Sequence, residues 1–300
     1  MDGTPAITIA KLSKRYRGSR SLALDRLSLE VNSGEVYGFL GANGAGKSTT
    51  IRTLANFIQP TSGSASILGH DIVTDSVAAK RHIGYLPGDV ALYPKVTGKQ
   101  FFAYMLELQP PKHKEYLAEL VRRFDVDLHK PLDALSKGNR QKVGLLQAFV
   151  HEPEVLILDE PTSGLDPLMQ EEFFKLIAEC KQRGAAVFFS SHNLSEAQRI
   201  CDRVGIIKEG KLIREQTIDD SSSLGQPIFR VTFAGDIPTR LDSVPQLKII
   251  SKADAYTVII QPKGTIAEAL AALSKYDIRE FSSQKIDLEN EFLEFYGDKS

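Results

Sequence analysis

The octapeptide GANGAGKS, residues 41–48, decides the fold of this chain. It fits the pattern GxxxxGK[ST], follows the apolar run VYGFL at 36–40 and precedes a helical pattern. Its glycines allow successive backbone N–H groups to face phosphate oxygens at a helix N-terminus. Lys47 is placed to reach the β and γ phosphates of a nucleotide, and Ser48 is placed to offer its hydroxyl to Mg²⁺. The stretch therefore predicts a phosphate site between a buried strand and a helix.

The segments around this stretch predict an α/β fold. Through roughly the first 215 residues, strand-like and helix-like segments alternate, which favours a buried and mostly parallel sheet. The predicted strands are VYGFL (36–40), IGYL (83–86), VLIL (155–158), AVFFS (186–190) and VGII (204–207). The earlier run LSLEV alternates apolar and polar residues and ends in a turn sequence, so it predicts a half-exposed strand of an antiparallel β subdomain.

A helical insertion interrupts the predicted sheet. The segments FFAYMLEL and HKEYLAELVRRF have helical periodicity, and a third helical segment opens with LSKGNRQ at residue 135. We expect residues 1–216 to form one nucleotide-binding domain, with a helical subdomain over about 87–152.

The C-terminal part of the chain predicts a small α+β accessory domain. The acidic, serine-rich segment TIDDSSSLGQ indicates a linker at 217–226, and the accessory domain follows at 227–300. In it, IFRVTFA and YTVIIQ predict strands, and TIAEALAALSKY predicts a helix with Thr265 as its N-cap. The final segment, DLENEFLEFYG, predicts a helix with one apolar face. No chemistry is evident in this domain.

Composition excludes several classes of protein. The 37 basic and 38 acidic residues give a net charge of −1, so no global positive field draws the chain to nucleic acid or anionic lipid. The two cysteines, Cys180 and Cys201, form no CxxC pair and suggest neither a disulfide framework nor a zinc site. No apolar run approaches the roughly 18 residues that a membrane-spanning helix needs. If the protein works at a membrane, we expect another chain to supply the spanning part.

Three polar side chains that follow predicted strands are candidates for catalysis. Asp159 and Glu160 end the run VLIL, and His192 follows the run AVFFS. An apolar run that ends in Asp-Glu is common, and a lone histidine is more often a surface or packing residue. Downstream of a phosphate loop the functional interpretation gains weight, because ligands of α/β sheets bind at the carboxyl ends of strands. Asp159 would hold Mg²⁺, Glu160 would orient and deprotonate the attacking water, and His192 would donate a hydrogen bond to the γ phosphate.

Together these residues resemble a known family. GANGAGKST, LSKGNRQ, LILDEPTSGLD and SSHNLSEA, in this order and spacing, are similar to the motifs of the nucleotide-binding subunit of an ATP-binding cassette (ABC) transporter. The resemblance covers roughly residues 5–215 and implies that ATP and Mg²⁺ are bound and that ATP is hydrolysed. It implies catalytic roles for Lys47, Glu160 and His192. The ATP-binding residues that it implies are Tyr16, Gly41, Asn43, Gly44, Ala45, Gly46, Lys47, Ser48 and Thr49.

Tyr16 is assigned only through the resemblance, in which an aromatic residue ahead of the phosphate loop stacks on adenine. The alternative is that its ring packs under the sheet.

The resemblance also implies that the turn at Ser136 acts on another chain. Two cassettes of this family meet head to tail, and each ATP lies between the phosphate loop of one and the signature turn of the other. Ser136, Gly138 and Asn139 would thus contact the nucleotide of the partner cassette, and Asp166 would lie at the same interface. Without the other motifs, the cap of a helix would be the better explanation of Ser136.

Two positions depart from the family pattern. The signature turn reads LSKGN where the family usually has LSGGQ, so Lys137 and Asn139 replace glycine and glutamine. Gly88, in IGYLPGD, stands where the family places a glutamine or glutamate that touches Mg²⁺ or the attacking water. Asp89 is a candidate substitute. Because Glu160 and His192 are both present, the site is still predicted to be hydrolytic.

The leading hypothesis is the ATP-hydrolysing subunit of a transporter, with a separate transmembrane permease as partner. A second nucleotide-binding subunit, identical or different, completes the pair, and the chain would lie at the cytoplasmic face of the membrane. The segment YLPGDVALYPKVTG and the short C-terminal domain resemble exporters of drugs, antibiotics or other hydrophobic compounds. One alternative is a soluble ABC ATPase that acts on nucleic acid or ribosomes, which the near-neutral charge disfavours. Another is a degenerate, regulatory nucleotide binder, which Gly88 favours and Glu160 disfavours.

Overall fold

The computed structural model describes residues 5–218, 228–239, 241 and 244–284. The chain divides into two units, Met1–Thr217 and Ile218–Ser300, each with a hydrophobic core of its own. Within the described ranges, no helix has the length and apolar character needed to cross a membrane.

The first unit alternates strands and helices. Its strands are β1 (Ile7–Lys14), β2 (Leu24–Val31), β3 (Val36–Leu40), β4 (Ser62–Ile67), β5 (His70–Asp71), β6 (Ile83–Leu86), β7 (Val155–Asp159), β8 (Ala186–Ser191), β9 (Arg203–Lys208) and β10 (Lys211–Thr217). Its helices are α1 (Lys47–Leu54), α2 (Ser76–Arg81), α3 (Gly98–Leu108), α4 (Tyr116–Arg123), α5 (Lys137–Phe149), α6 (Pro167–Gln182) and α7 (Leu194–Ile200), with a 3₁₀ turn at Leu132–Ala134. The five predicted strands and the three predicted helical segments are confirmed.

The central sheet has the strand order β10-β9-β3-β8-β7-β6. Strands β6, β7, β8, β3 and β9 are parallel, and β10 pairs antiparallel with β9 at one edge. All residues of β3, β7 and β8 are buried, as expected of parallel strands covered on both faces. The carboxyl ends of β3, β7 and β8 therefore lie side by side at one edge of the sheet, where the phosphate loop begins.

A second, antiparallel sheet has the order β2-β1-β4-β5. Along β2, buried and exposed residues alternate, so the predicted half-exposed antiparallel strand is confirmed. Apolar side chains of β1, β2 and β4 pack with those of β3, β7 and α1 in one core. The antiparallel β subdomain and the parallel sheet thus share a hydrophobic core, which fixes the phosphate loop between them.

The helical insertion lies between β6 and β7 and contains α3, α4 and α5. Helix α3 begins with a capping box in which Thr97 and Gln100 each bond to the backbone of the other. Helix α5 begins directly after Ser136, whose hydroxyl accepts a hydrogen bond from the Asn139 N–H at 3.3 Å. Helix α5 packs on β6, so the signature turn is attached to the central sheet.

The second unit contains β11 (Ile228–Phe233), β12 (Leu247–Lys252), β13 (Thr257–Pro262), α8 (Ile266–Leu273) and β14 (Ile278–Gln284). Its sheet is antiparallel, with the order β12-β13-β11-β14. Thr265 caps α8 and forms a capping box with Glu268, which confirms the predicted N-cap. Most of the linker predicted at 217–226 and the final predicted helix lie outside the described residues.

Candidate functional site

The turn between β3 and α1 has the backbone that a phosphate loop requires. Gly44 has a φ of 82° and Gly46 a φ of 116°, conformations that are open to glycine and strained for other residues. At Gly41 a Cβ atom would come within 2.6 Å of the Ile207 carbonyl oxygen, so no larger residue fits there. These three glycines let the chain turn sharply into α1 with its first N–H groups free to meet an anion.

Lys47 is the first residue of α1, and its side chain is only 5% exposed. Its ammonium group donates hydrogen bonds to the Gly41 oxygen at 2.6 Å and to the Ala42 oxygen at 3.4 Å. It also lies 3.4 Å from Oε1 of Glu160. A buried ammonium held by carbonyl oxygens and one carboxylate is a positive charge preorganised for a phosphate.

Glu160 lies directly after β7, between this lysine and a histidine. Its Oε2 is 2.5 Å from Nδ1 of His192, which follows β8, while its Oε1 faces Lys47. The φ of Glu160 is 50°, and its N–H donates to the Ser190 hydroxyl at 3.1 Å. The ends of two neighbouring parallel strands therefore bring the predicted base and the predicted histidine into direct contact.

Asp159, the last residue of β7, is buried beside Gly88. The Ser190 hydroxyl donates to its Oδ1 at 2.6 Å, while a Cβ atom at Gly88 would lie 3.1 Å from its Oδ2. Burial together with the charge of Asp159 raises the pKa of the Tyr85 hydroxyl to about 12. Asp89, the candidate substitute for the missing family side chain, is exposed and is not among the residues that line the cleft.

These groups line one open cleft of about 440 Å³. Its lining consists of Ala23, Ala42, Asn43, Gly44, Gly46, Lys47, Ser48, Thr49, Gly88, Asp159, Glu160, Ser163 and His192. The structure thus brings most of the predicted phosphate-loop residues together with both predicted carboxylates and the predicted histidine. Gly41 and Ala45 belong to the same loop but do not line the cleft.

Sequence reasoning missed Ser163, Ala23 and the buried Ser190, which bonds to Asp159. The doubled serine before His192 is the only sequence signal for Ser190, and its role depends on how β7 and β8 pair.

Tyr16 lies beside this cleft. Its hydroxyl is 3.3 Å from Oγ1 of Thr49 in the first turn of α1, and 41% of the residue is exposed. The Lys14 ammonium lies 5.6 Å from the centre of its ring. The ring is thus not packed under the sheet, and it has a free surface next to the phosphate loop.

The residues of the signature turn lie away from the cleft of their own chain. Ser136, Gly138 and Asn139 are not part of its lining, and a Cβ atom at Gly138 would come within 2.8 Å of the Gly164 oxygen. Asp166 caps α6, where its carboxylate accepts from the Met169 N–H at 3.0 Å. The turn at Ser136 is therefore packed against the loop that joins β7 to α6.

The oxygen atoms that the cleft offers suit an Mg²⁺ ion that is bound together with a phosphate. Ser48 and Asp159 offer oxygen atoms, the ligands that Mg²⁺ prefers. In the part of the chain that the structure describes, no cluster of three His, Cys, Asp or Glu side chains is arranged to hold a metal ion alone. Phosphate oxygens would have to complete the coordination, as is usual for this cation.

A phosphate loop between a buried strand and a helix, with a second buried strand that ends in Asp-Glu beside it, defines a nucleotide-binding protein of the phosphate-loop class. A family model described as "ABC transporter" matches residues 24–163. The Daunorubicin/doxorubicin resistance ATP-binding protein DrrA of Streptomyces peucetius is 32% identical over 98% of this chain and 93% of its own. The chain therefore belongs to the ABC transporter family, as an ABC-type ATPase.

Two further comparisons agree with this assignment. The Probable multidrug ABC transporter ATP-binding protein YbhF of Escherichia coli (strain K12) is 36% identical over 73% of this chain, which spans only 39% of the length of YbhF. A solved structure of the ATP-binding subunit of an ABC transporter superposes with a TM-score of 0.67 at 31% identity, over 74% of this chain and 93% of that one.

Proposed function

We propose that this chain hydrolyses ATP to power a transporter whose membrane-spanning permease is a separate chain. The observation that carries the proposal is the position of Glu160 in the phosphate-loop cleft, between the Lys47 ammonium and the His192 ring. A carboxylate next to the position of the γ phosphate, with a histidine that fixes its orientation, has the features of a general base for an attacking water.

Each side chain of the cleft has a distinct task in this proposal. Lys47 binds the β and γ phosphates, and Glu160 orients the water and accepts its proton. His192 holds the Glu160 carboxylate and donates to the γ phosphate.

Asp159 and Ser48 are the residues that would hold Mg²⁺, which neutralises phosphate charge when it is bound. Tyr16 stacks on adenine, and the N–H groups between Gly41 and Thr49 bind the phosphate oxygens.

The proposal includes a second cassette. Because Ser136, Gly138 and Asn139 do not line the cleft of their own chain, they are available to the nucleotide of a partner, with Asp166 at the same interface. ATP bound between two cassettes would close the pair, and hydrolysis would open it again.

We further propose that the transporter is an exporter. The names of DrrA and YbhF, which refer to drug resistance and to multidrug transport, support this assignment. On the helical insertion and the segment before it, Tyr93 and Tyr104 are 64% and 55% exposed and offer apolar surface to a permease. The chain would then lie at the cytoplasmic face of the membrane, held there by the permease.

The test of this function is ATP turnover by the Glu160→Gln variant. Loss of the base is expected to slow turnover by roughly 10²- to 10⁴-fold while ATP binding is retained. Glu209→Gln is the matched control, because Glu209 has the same φ of 50° but is exposed and does not line the cleft.

Turnover of Glu160→Gln close to that of the parent would remove Glu160 from the mechanism. A parent chain that binds ATP and does not turn it over would instead identify a regulatory nucleotide binder.

A further inference from the structure

Glu196, in the first turn of α7, joins the two loops that carry the catalytic side chains. Its Oε1 accepts a hydrogen bond from the Thr162 hydroxyl at 2.8 Å, and its Oε2 accepts one from the Ser191 hydroxyl at 3.0 Å. Thr162 is 8% exposed and Ser191 2% exposed. Buried hydroxyls of this kind need partners, so both bonds constrain the position of the chain.

The two hydroxyls lie just beyond the end of the pairing between β7 and β8, although Ser191 is still paired with Leu40 of β3. Strands β7 and β8 are paired from Val155↔Ala186 up to Asp159↔Ser190. Thr162 comes two residues after Glu160, and Ser191 comes directly before His192. The Glu196 carboxylate therefore connects the loop after β7 to the last residue of β8, next to Glu160 and His192.

A second set of hydrogen bonds, made by the Ser190 hydroxyl, connects the end of β7 to β8. The Ser190 hydroxyl donates to Asp159 and accepts from the Glu160 N–H. Ser190 and Ser191 are successive residues of β8, so their side chains point to opposite faces of the sheet. The contact between Glu160 and His192 thus lies between two polar connections, one through Ser190 and one through Glu196.

Glu196 makes this connection without a basic partner. Among the described residues it forms no ion pair, and Arg199 of the same helix pairs with Glu171 on α6 instead. Apart from a long contact from the Asn193 amide at 3.5 Å, its hydrogen-bond partners are the two hydroxyls. A carboxylate that accepts from two buried hydroxyls and has no basic partner fixes geometry more than it neutralises charge.

We propose that Glu196 is a positioning residue for ATP hydrolysis, which holds the loop of Glu160 and the loop of His192 at their working separation. The inference rests on the proposed function, because it assigns Glu196 a role in that reaction. Its effect is expected to fall on the hydrolytic step and not on nucleotide binding, since the phosphate loop is carried by β3 and α1 and Glu196 does not line the cleft.

The test compares Glu196→Ala with Glu196→Gln in the full chain. Alanine removes both connections, and we expect kcat to fall by up to about 10²-fold, the usual effect of a small misplacement of catalytic groups. The KM for ATP and direct ATP binding are expected to stay within about twofold. Glutamine keeps an oxygen for one hydroxyl and offers an amide N–H to the other, so it is expected to restore most of kcat.

Two further sets of variants distinguish positioning from general destabilisation. Glu171→Ala is the matched control: it removes the carboxylate paired with Arg199 of the same helix and is expected to leave kcat unchanged. Thr162→Val removes one of the two hydroxyl partners, and in a Glu196→Ala background it is expected to cause little further loss. Unfolding temperatures of all variants are measured alongside.

Three outcomes would overturn the role of Glu196. The first is parent-like kcat in Glu196→Ala while Glu160→Gln remains slow, which leaves the proposed function intact. The second is a Glu196→Gln variant as slow as Glu196→Ala. The third is a loss of ATP binding in Glu196→Ala in proportion to its loss of kcat. A parent chain that does not hydrolyse ATP would overturn the proposed function itself, and the role of Glu196 with it.

Discussion

At the scale of single residues, the environment of Glu160 distinguishes it more than its backbone does. A φ near 50° costs a non-glycine residue roughly 1–2 kcal/mol, yet Glu152 and Glu209 have φ values of 52° and 50° as well. What sets Glu160 apart is that one carboxylate oxygen faces Lys47 and the other faces His192. The strained backbone at Glu160 points its carboxylate into the cleft. A bound phosphate would take the place of this carboxylate beside the Lys47 ammonium.

Tyr16 allows ATP binding to be observed directly. The sequence contains no tryptophan, so Tyr16→Trp introduces a single indole beside the phosphate loop. If the ring stacks on adenine, its emission changes when ATP is added, and Tyr16→Ala weakens ATP binding by roughly 5- to 150-fold, as stacking energies of about 1–3 kcal/mol imply. Tyr256→Trp, with an exposed ring in the second unit, is the control and is expected to show no change. Unchanged emission of Tyr16→Trp at saturating ATP would contradict the stacking role.

At the scale of secondary-structure elements, one arginine attaches the helical insertion to the core. Arg123 at the end of α4 donates through Nε to Glu172 at 2.6 Å, and through Nη1 and Nη2 to Glu179 at 2.7 and 2.9 Å. Both glutamates belong to α6, and the Arg123 side chain is only 12% exposed. The fork of the guanidinium matches the carboxylate of Glu179 with two parallel bonds, a geometry that lysine cannot reproduce.

We therefore expect Arg123→Met to lower the free energy of unfolding by about 1–3 kcal/mol, because it removes charged hydrogen bonds from a largely buried site. Arg122→Met, one residue earlier and exposed, is the matched control and is expected to stay within about 0.5 kcal/mol of the parent. Urea unfolding measures both. An Arg123→Met variant as stable as the control would show that α4 is held by apolar packing alone.

The contact of Arg123 with Glu172 predicts how the stability difference between the parent and Arg123→Met depends on pH. Partial burial alone would raise the pKa of Glu172, but the hydrogen bond and charge of Arg123 outweigh it and hold the pKa below its ordinary value. A carboxylate with a depressed pKa stabilises the fold above its unfolded value of about 4.3 and loses that contribution as the pH falls through the folded pKa. The gap in stability between parent and Arg123→Met is therefore expected to narrow below about pH 4. A gap that is constant from neutral to acidic pH would contradict this assignment.

The elements that the sequence predicts are those whose apolar pattern is local. Strands β3 and β7 are buried on both faces, so their residues form continuous apolar runs. Strands β10, β12 and β14 are edge strands with many polar residues, and they form only because a partner strand elsewhere in the chain offers hydrogen bonds. Propensity does not reveal such partners, and these strands were not predicted.

The residues of the candidate site also differ in whether a local sequence pattern reveals them. Lys47, Asp159, Glu160 and His192 are visible in the sequence because each follows a recognisable strand or fits a fixed spacing. The sequence marks Ser190 only by the doubled serine and does not single out Glu196, because their roles depend on the register of β7 against β8 and on the direction of α7. A sequence motif identifies the groups that react, whereas the groups that position them emerge only from tertiary structure.

At the scale of the whole molecule, the phosphate-loop cleft and the turn at Ser136 are separate features of one chain, and we propose that each is one part of a shared ATP site. The phosphate loop, both carboxylates and His192 line one cleft, whereas Ser136 and Gly138 lie against the loop that follows β7. Helix α5 is nonetheless properly capped at Ser136, with its N-terminus formed. A turn that is formed but lies outside the cleft of its own chain is what the proposed sharing of each ATP between two chains requires.

ATP turnover in a mixture of two inactive variants tests directly whether each ATP is shared between two chains. Lys47→Ala disables the phosphate loop, and Ser136→Asp keeps the helix cap while it repels phosphate. Each variant alone is expected to be nearly inactive. An equimolar mixture is expected to recover about a quarter of parent turnover, since about half of randomly paired dimers are mixed and each mixed dimer holds one complete site. Mixed dimers that form and show no turnover above that of the separate variants would show that Ser136 does not act on the nucleotide of a partner chain.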